Sequence, residues 1–407
     1  MPSVGTASRN PCSRAWPARR HDPDSQKIFQ KPGKSLISED RTLSKLGLLT
    51  LPLVENYGGI IQCACLASFL REEGHEVVLL RRAPDRSLPM RLAVQVLEKL
   101  PGQNIRGFRQ RAHELAQNQA FIDAFVGPAS PLLYSSDDMA RYARKAQIAG
   151  VVVGSDQVWR MQYVPKGGEG DYFLAFADDS MKRVAYAASF GHDTWNYPEL
   201  TAQASALLQK FDHAAVREKS GAAICRDVFG RDSAVHVLDP TMLVDPAIYD
   251  RMSPPAPVAG DQAPYLYRYI LDDTAEISTI TKLIKAALPA QTQTRSTILT
   301  DSSEKPTIEQ WIANLRSADF VITDSFHGTV FAIIFRKNFV TLVNNNRGAG
   351  RFYSLLTELS LADRILATAE QDRAATLVAS PIDFDAVHDR IDRWREISRQ
   401  FLQQALR

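Results

Sequence analysis

An apolar run rich in β-branched residues ends abruptly at Thr323-Asp324-Ser325, and a second apolar run begins directly after His327-Gly328. The first run reads as a strand buried on both faces, the second as a buried helix. A buried parallel strand that feeds a buried helix through so tight a turn is the repeating unit of a doubly wound α/β sheet. In such a sheet the turn stands at the carboxyl end of the strand, where ligands bind. A histidine, an aspartate and a serine at a helix N-terminus suit an anionic ligand. Taken alone, the same residues read equally as a capped helix, with Asp324 or Ser325 as the cap and His327 as a polar first-turn residue.

The rest of the chain repeats this rhythm. Lys45 to Leu51 is a strand pattern that runs through Asn56-Tyr57-Gly58-Gly59 into a helix from Ile60 to Glu73, with the next strand at Glu76 to Leu80. The unit is a βαβ opening of Rossmann type, but without G-x-G-x-x-G, so a dinucleotide is not implied. Helical, charge-laced sequence fills about Met90 to Lys145. Strands follow at Ala149 to Val153, ending in Gly154-Ser155-Asp156-Gln157-Val158-Trp159, and at Lys182 to Ala187. A second α/β pattern begins at Ala214 to Val216, which leads into Arg217-Glu218-Lys219-Ser220-Gly221. Strands at Val235 to Leu238, Tyr265 to Leu271 and Phe339 to Val343 alternate with helices, and a long amphipathic helix from Ile382 to Leu406 closes the chain.

At 407 residues the chain exceeds what one core usually serves, so two domains are expected. A net charge of +2 is too small to argue for nucleic acid. The four cysteines do not make a disulfide framework, and the histidines show no zinc spacing. No apolar stretch reaches membrane-spanning length. The Pro-, Ser- and Arg-rich start has no apolar clustering and reads as a disordered tail. The expected organisation is a tail at 1–43, a Rossmann-like half at 44–213, a second at 214–381, and a C-terminal helix at 382–407. The fold class is α/β, with two Rossmann-like domains facing across a cleft, and a cytoplasmic location is expected.

Several separated motifs share an order with one known family. They are Asn56-Tyr57-Gly58-Gly59 with Gln62, Gly154-Ser155-Asp156-Gln157-Val158-Trp159, Tyr186 to Gly191, Val216 to Gly221, Leu238-Asp239-Pro240-Thr241, Thr323 to Thr329, Arg351-Phe352, and Ser398-x-x-Phe401-Leu402. From about Lys45 to the end, the chain resembles the polysaccharide pyruvyl transferases. The resemblance implies a fold like the GT-B glycosyltransferases. It also implies transfer of the pyruvyl group of phosphoenolpyruvate to sugar hydroxyls of a polysaccharide or its lipid-linked precursor. The product would be a pyruvate ketal, with release of phosphate. By the same resemblance His327 is the catalytic acid or base and Arg217 a donor-binding residue.

Phosphoenolpyruvate carries a carboxylate and a phosphate, groups that guanidinium recognises in bidentate fashion. Arg347 and Arg351, in a glycine-bearing loop after a strand, are further donor candidates, and Ser325 and Gly328 of the turn are grouped with them. The first half is expected to hold the acceptor through Asn56, Tyr57, Gln62, Ser155, Gln157 and Trp159, since sugars are bound by amide hydrogen bonds and aromatic stacking. Asp156 is a second catalytic candidate. Asp324 is expected to cap its helix, and Asp239 to be structural. No metal ligand and no resident cofactor is expected, phosphoenolpyruvate being a substrate. Expected partners are the donor and a sugar or lipid-linked oligosaccharide, with peripheral membrane association in the latter case. Other readings are a nucleotide-sugar glycosyltransferase and a non-catalytic glycan-assembly protein.

Overall fold

A computed structural model describes residues 44–54, 56–87, 89–91, 118–255, 263–300, 305–343, 348–367 and 370–407. The expected tail at 1–43 and candidate Arg347 lie outside the described residues. Strands β1 (Lys45–Leu49), β2 (Glu76–Arg82), β3 (Ala129–Leu133), β4 (Gly150–Asp156), β5 (Lys182–Ala188), β6 (His213–Val216) and β7 (Val235–His236) form one sheet in the order β3-β2-β1-β4-β5-β6-β7. A second sheet, in the order β12-β11-β10-β8-β9, is built from β8 (Tyr265–Ile270), β9 (Gln293–Ile298), β10 (Phe320–Thr323), β11 (Asn338–Leu342) and β12 (Ile365–Leu366). Every pairing in both sheets is parallel. The α/β class with two parallel sheets, expected from sequence, is the fold observed.

Central strands behave as a doubly covered sheet requires: every residue of β4 and of β10 is buried. Helices α1 (Tyr57–Glu72), α2 (Ser136–Lys145), α3 (Thr201–Leu208) and α4 (Lys219–Asp227) belong to the first sheet's connections. Short helices α5 (Pro240–Leu243) and α6 (Ile248–Met252) precede β8. The second sheet carries α7 (Ala275–Ala287), α8 (Ile308–Ser317), α9 (Phe326–Ile334), α10 (Gly350–Glu358) and α11 (Arg373–Ala379), and α12 (Phe384–Ala405) ends the chain.

One apolar cluster runs through both halves, from Ile60, Leu66 and Phe69 of α1 to Trp311 of α8, Phe331 of α9 and Leu402 of α12. Helix α1 shows why its sequence is apolar nearly all round: it is packed on the first sheet and also against the second half. The ring of Tyr57 lies 5.6 Å from that of Trp311 and 6.3 Å from that of Tyr269.

The terminal helix straddles both halves. Near its start Arg336 pairs with Asp385, and Nε2 of His388 lies 3.0 Å from the Ile333 carbonyl. Near its end, Ser398 Oγ accepts from Leu238 N at 3.0 Å and Arg395 donates to the Met242 carbonyl at 2.8 Å.

Two expectations on strands change. The second half was expected to begin at residue 214, yet β6 and β7 extend the first sheet, and the chain leaves it only before β8. A strand's presence is visible in its local pattern, but its neighbour is set by long-range packing. Within the stretch read as helical from Met90 to Lys145, the strand β3 intervenes before α2.

Candidate active site

In each sheet the strand order reverses once: between β1 and β4 in the first, and between β8 and β10 in the second. A crevice opens at such a switch point, outside the strands' carboxyl ends. Here the two crevices share one cavity of about 290 Å³. Asn56, Asp156 and Gln157 reach it from the first switch point, and Leu271, Ser325, Phe326 and His327 from the second, with Arg351 of α10 and Tyr163 beside them.

A buried charge cluster lies next to the cavity. Arg217, following β6, donates from Nη1 to Asp239 Oδ2 at 2.9 Å and from Nη2 to Asp156 Oδ1 at 3.4 Å. Asp156 takes a further bond from Asn56 Nδ2 at 3.2 Å. Asp239, following β7, caps α5 through Oδ1, which accepts from Thr241 N at 3.0 Å. Burial of Arg217 works against its charge, but Asp239 and Asp156 outweigh it and hold the guanidinium above its ordinary pKa. Arg351 is in the opposite position. Burial, and then repulsion from Arg217, pull it down to about 10 against the attraction of Asp156 and Glu218. Its guanidinium carbon lies 5.4 Å from the Phe326 ring centre, and that of Arg217 lies 4.6 Å from the same ring. Of these two guanidiniums, that of Arg351 borders the cavity, where it presents a bidentate donor.

His327 is the second residue of α9, presented by the N-cap Ser325, whose Oγ accepts from Gly328 N at 3.3 Å. Its Nε2 lies 3.5 Å from Asp239 Oδ2. The other edge of the ring lies on the first turn of α1, where a Cβ on Gly58 would come within 2.0 Å of Nδ1. Gly58 is a glycine because the imidazole occupies the space a side chain would need.

The candidates sort clearly. His327, Asp156, Asn56, Gln157, Ser325 and Arg351 border the cavity. Arg217 stands behind it, held by two carboxylates, so it was read too simply as a donor-binding arginine. Arg217→Ala would leave Asp239 and Asp156 buried without their cation. It should therefore cost about 3–5 kcal/mol of stability, measured by chemical denaturation.

Several acceptor candidates turn out to be internal. Gln62 is fully buried, accepting from Ser155 N at 3.1 Å and donating to the Gly59 carbonyl at 2.8 Å. Trp159 is equally buried, stacked on Phe173 at 5.3 Å, with its indole N–H on the Tyr172 carbonyl. Tyr57 gives its hydroxyl to the Pro306 carbonyl, and Ser155 gives its own to the Ala187 carbonyl.

In the turn, Gly328 is required by packing, since a Cβ there would meet Thr323 Oγ1 at 2.3 Å, and its N–H is taken by Ser325. Asp324 is not the cap. Its two oxygens accept from Leu271 N at 2.6 Å and Asp272 N at 3.0 Å, pinning the loop after β8 to the turn after β10. Burial pushes its carboxyl up to about 6 against those two bonds.

Sequence reasoning missed the cavity contact of Tyr163 and the closeness of Asp239 to His327. The Asp-Pro pair directly after a strand was the available signal for Asp239. Among the described residues no group of three or more His, Cys, Asp or Glu could hold a metal ion, and no helix is long and apolar enough to cross a membrane.

Two facing parallel sheets with one histidine-bearing cleft at their joint switch points define a two-lobed α/β protein. The chain belongs to the polysaccharide pyruvyl transferase family, whose model matches residues 56–346. No curated protein matches it significantly. Among solved structures it is similar to the spinosyn forosaminyltransferase SpnP, at 14% identity over 88% of this chain and 95% of that one, with a TM-score of 0.45. It is also similar to MnaA of S. aureus in its UDP co-structure, at 10% identity over 86% and 91% of the two chains, with a TM-score of 0.48. A third likeness is to a mutant O-GlcNAc transferase of Thermobaculum terrenum, at 12% identity over 89% and 68%, with a TM-score of 0.45. These similarities concern the course of the backbone and say nothing of substrate.

Proposed function

We propose that the protein transfers the pyruvyl group of phosphoenolpyruvate to hydroxyls of a sugar in a polysaccharide or its lipid-linked precursor, forming a ketal and releasing phosphate. The observation that carries this reading within the family is Arg351 beside His327 on the cavity wall, with Arg217 buried behind them. A donor with a carboxylate and a phosphate calls for a guanidinium contact, and its enol carbon calls for a proton.

In this reading Arg351 meets the donor's anionic group directly, and Arg217 adds field from behind it. His327 delivers a proton to the methylene carbon, which becomes the methyl group while positive charge develops at C2. One sugar hydroxyl adds there and gives up its proton. The C2–O bond to phosphate breaks, and a second hydroxyl closes the ring with loss of its own proton. Asp156 stands where it could take one of those protons. The acceptor lies toward Asn56, Gln157 and Tyr163. The reaction is placed in the cytoplasm, with peripheral approach to the membrane when the acceptor is lipid-linked.

Phosphate release from phosphoenolpyruvate, followed against donor concentration, tests the donor assignment. Arg351→Ala should raise the KM for phosphoenolpyruvate roughly ten- to a hundredfold, the loss of a charge-assisted contact, with a smaller change in kcat. An unchanged donor KM would remove Arg351 from the donor site. Transfer from a nucleotide sugar, with no turnover of phosphoenolpyruvate, would overturn the whole reading.

A further inference from the structure

The proposed reaction leaves Asp239 unused, and its geometry exceeds what a helix cap needs. Oδ1 alone serves α5, accepting from the backbone and hydroxyl of Thr241 at 3.0 and 2.7 Å. Oδ2 is turned toward the cleft, where it meets Arg217 Nη1 at 2.9 Å, Ser155 Oγ at 3.4 Å and His327 Nε2 at 3.5 Å. His327 Nε2 is buried, and it has no hydrogen-bond partner within bonding distance.

We propose that Asp239 is the positioning residue for His327, accepting from its Nε2–H and so holding the imidazole in one tautomer and one orientation. A separation of 3.5 Å is long for that bond, but such bonds commonly tighten only when the reacting complex forms. Burial would raise the pKa of Asp239, yet His327 and Arg217 outweigh it and keep the group well below the usual carboxylate range.

The two partners come from opposite sheets, Asp239 after β7 and His327 after β10. The imidazole is thus oriented from across the cleft, and only while the halves keep this spacing. Because Arg217 shares the same oxygen, one carboxylate sets the positions of both the arginine and the histidine of the site. The inference rests on the reading of His327 as the proton-handling group.

The test uses the full chain and two readouts. Imidazole ¹⁵N spectra at a pH where the ring is neutral, with the His327 signal assigned by its loss in His327→Gln, report the tautomer without reference to activity. The wild type should carry its proton on Nε2, and Asp239→Asn should shift the population toward Nδ1. In parallel, Asp239→Asn should lower kcat for phosphate release about ten- to a hundredfold, as loss of such a supporting partner commonly does, with far less change in the donor KM. Thr241→Val, which removes one bond to Oδ1, should lower stability and leave tautomer and kcat in place. A wild-type His327 protonated on Nδ1 overturns the assignment even if Asp239→Asn does not fold. So does an unchanged tautomer and kcat in a folded Asp239→Asn protein. If wild type releases no phosphate from phosphoenolpyruvate, the function reading falls, and the tautomer result separates that failure from this one.

Discussion

Replacing His327 by alanine is expected to lower turnover about a hundred- to ten-thousand-fold, the usual contribution of a positioned acid or base, while the protein stays folded. The residue is only 4% exposed, yet it borders the cavity and fills no deep apolar site. Its removal does not strand Asp239, which keeps Arg217, Ser155 and Thr241 as partners. The Ser325 cap and the Asp324 bonds to Leu271 and Asp272 survive as well, so the turn that presents the residue stays in place. Phosphate release and thermal unfolding, measured on the same preparation, check both halves of this expectation. Wild-type turnover in the alanine variant would take His327 out of the mechanism.

Gly58→Ala should be nearly as damaging, although it alters no charged or polar group. The added Cβ would stand 2.0 Å from His327 Nδ1 and 2.6 Å from its Cβ, distances that real side chains do not tolerate. Either α1 moves away from the cleft or the imidazole turns. A displacement of about 1 Å in a reacting group can cost on the order of a hundredfold in rate. The loss should appear in kcat, with donor binding at Arg351 retained. A variant with wild-type kcat would show that the contact between α1 and His327 is loose and that the ring's placement here is not the working one.

This second expectation also shows what could and could not be read from the residues. The strand–turn–helix at Phe320 to Ile334 was legible because strand and helix differ in length and both are buried. The place of His327 at the cavity was legible because the turn's position in such a sheet is a general property of the fold. The order of motifs along the chain was enough to suggest the family that the model match then established.

What stayed hidden is whatever depends on two distant segments meeting. Asp324 and Ser325 are adjacent and chemically alike as caps. Only the arrival of Leu271 and Asp272 decides that one is a staple and the other the cap. Trp159 and Gln62 look like a sugar platform and an amide donor in a list of polar and aromatic loop residues. In space, Phe173 and Ser155 claim them. Gly58 looked like one half of a glycine pair opening a helix, and nothing local reveals that it faces a histidine some 270 residues later. The division of the chain failed for the same reason: β6 and β7 announce themselves as strands but not as members of the first sheet.

The central claim, pyruvyl transfer from phosphoenolpyruvate to a sugar, is tested most directly by the mass of the acceptor after reaction. Purified protein incubated with phosphoenolpyruvate and a series of lipid-linked oligosaccharides should yield one acceptor heavier by a single pyruvyl ketal, with one phosphate released per product. A gain of a hexose from a nucleotide sugar, with phosphoenolpyruvate left intact, would contradict it.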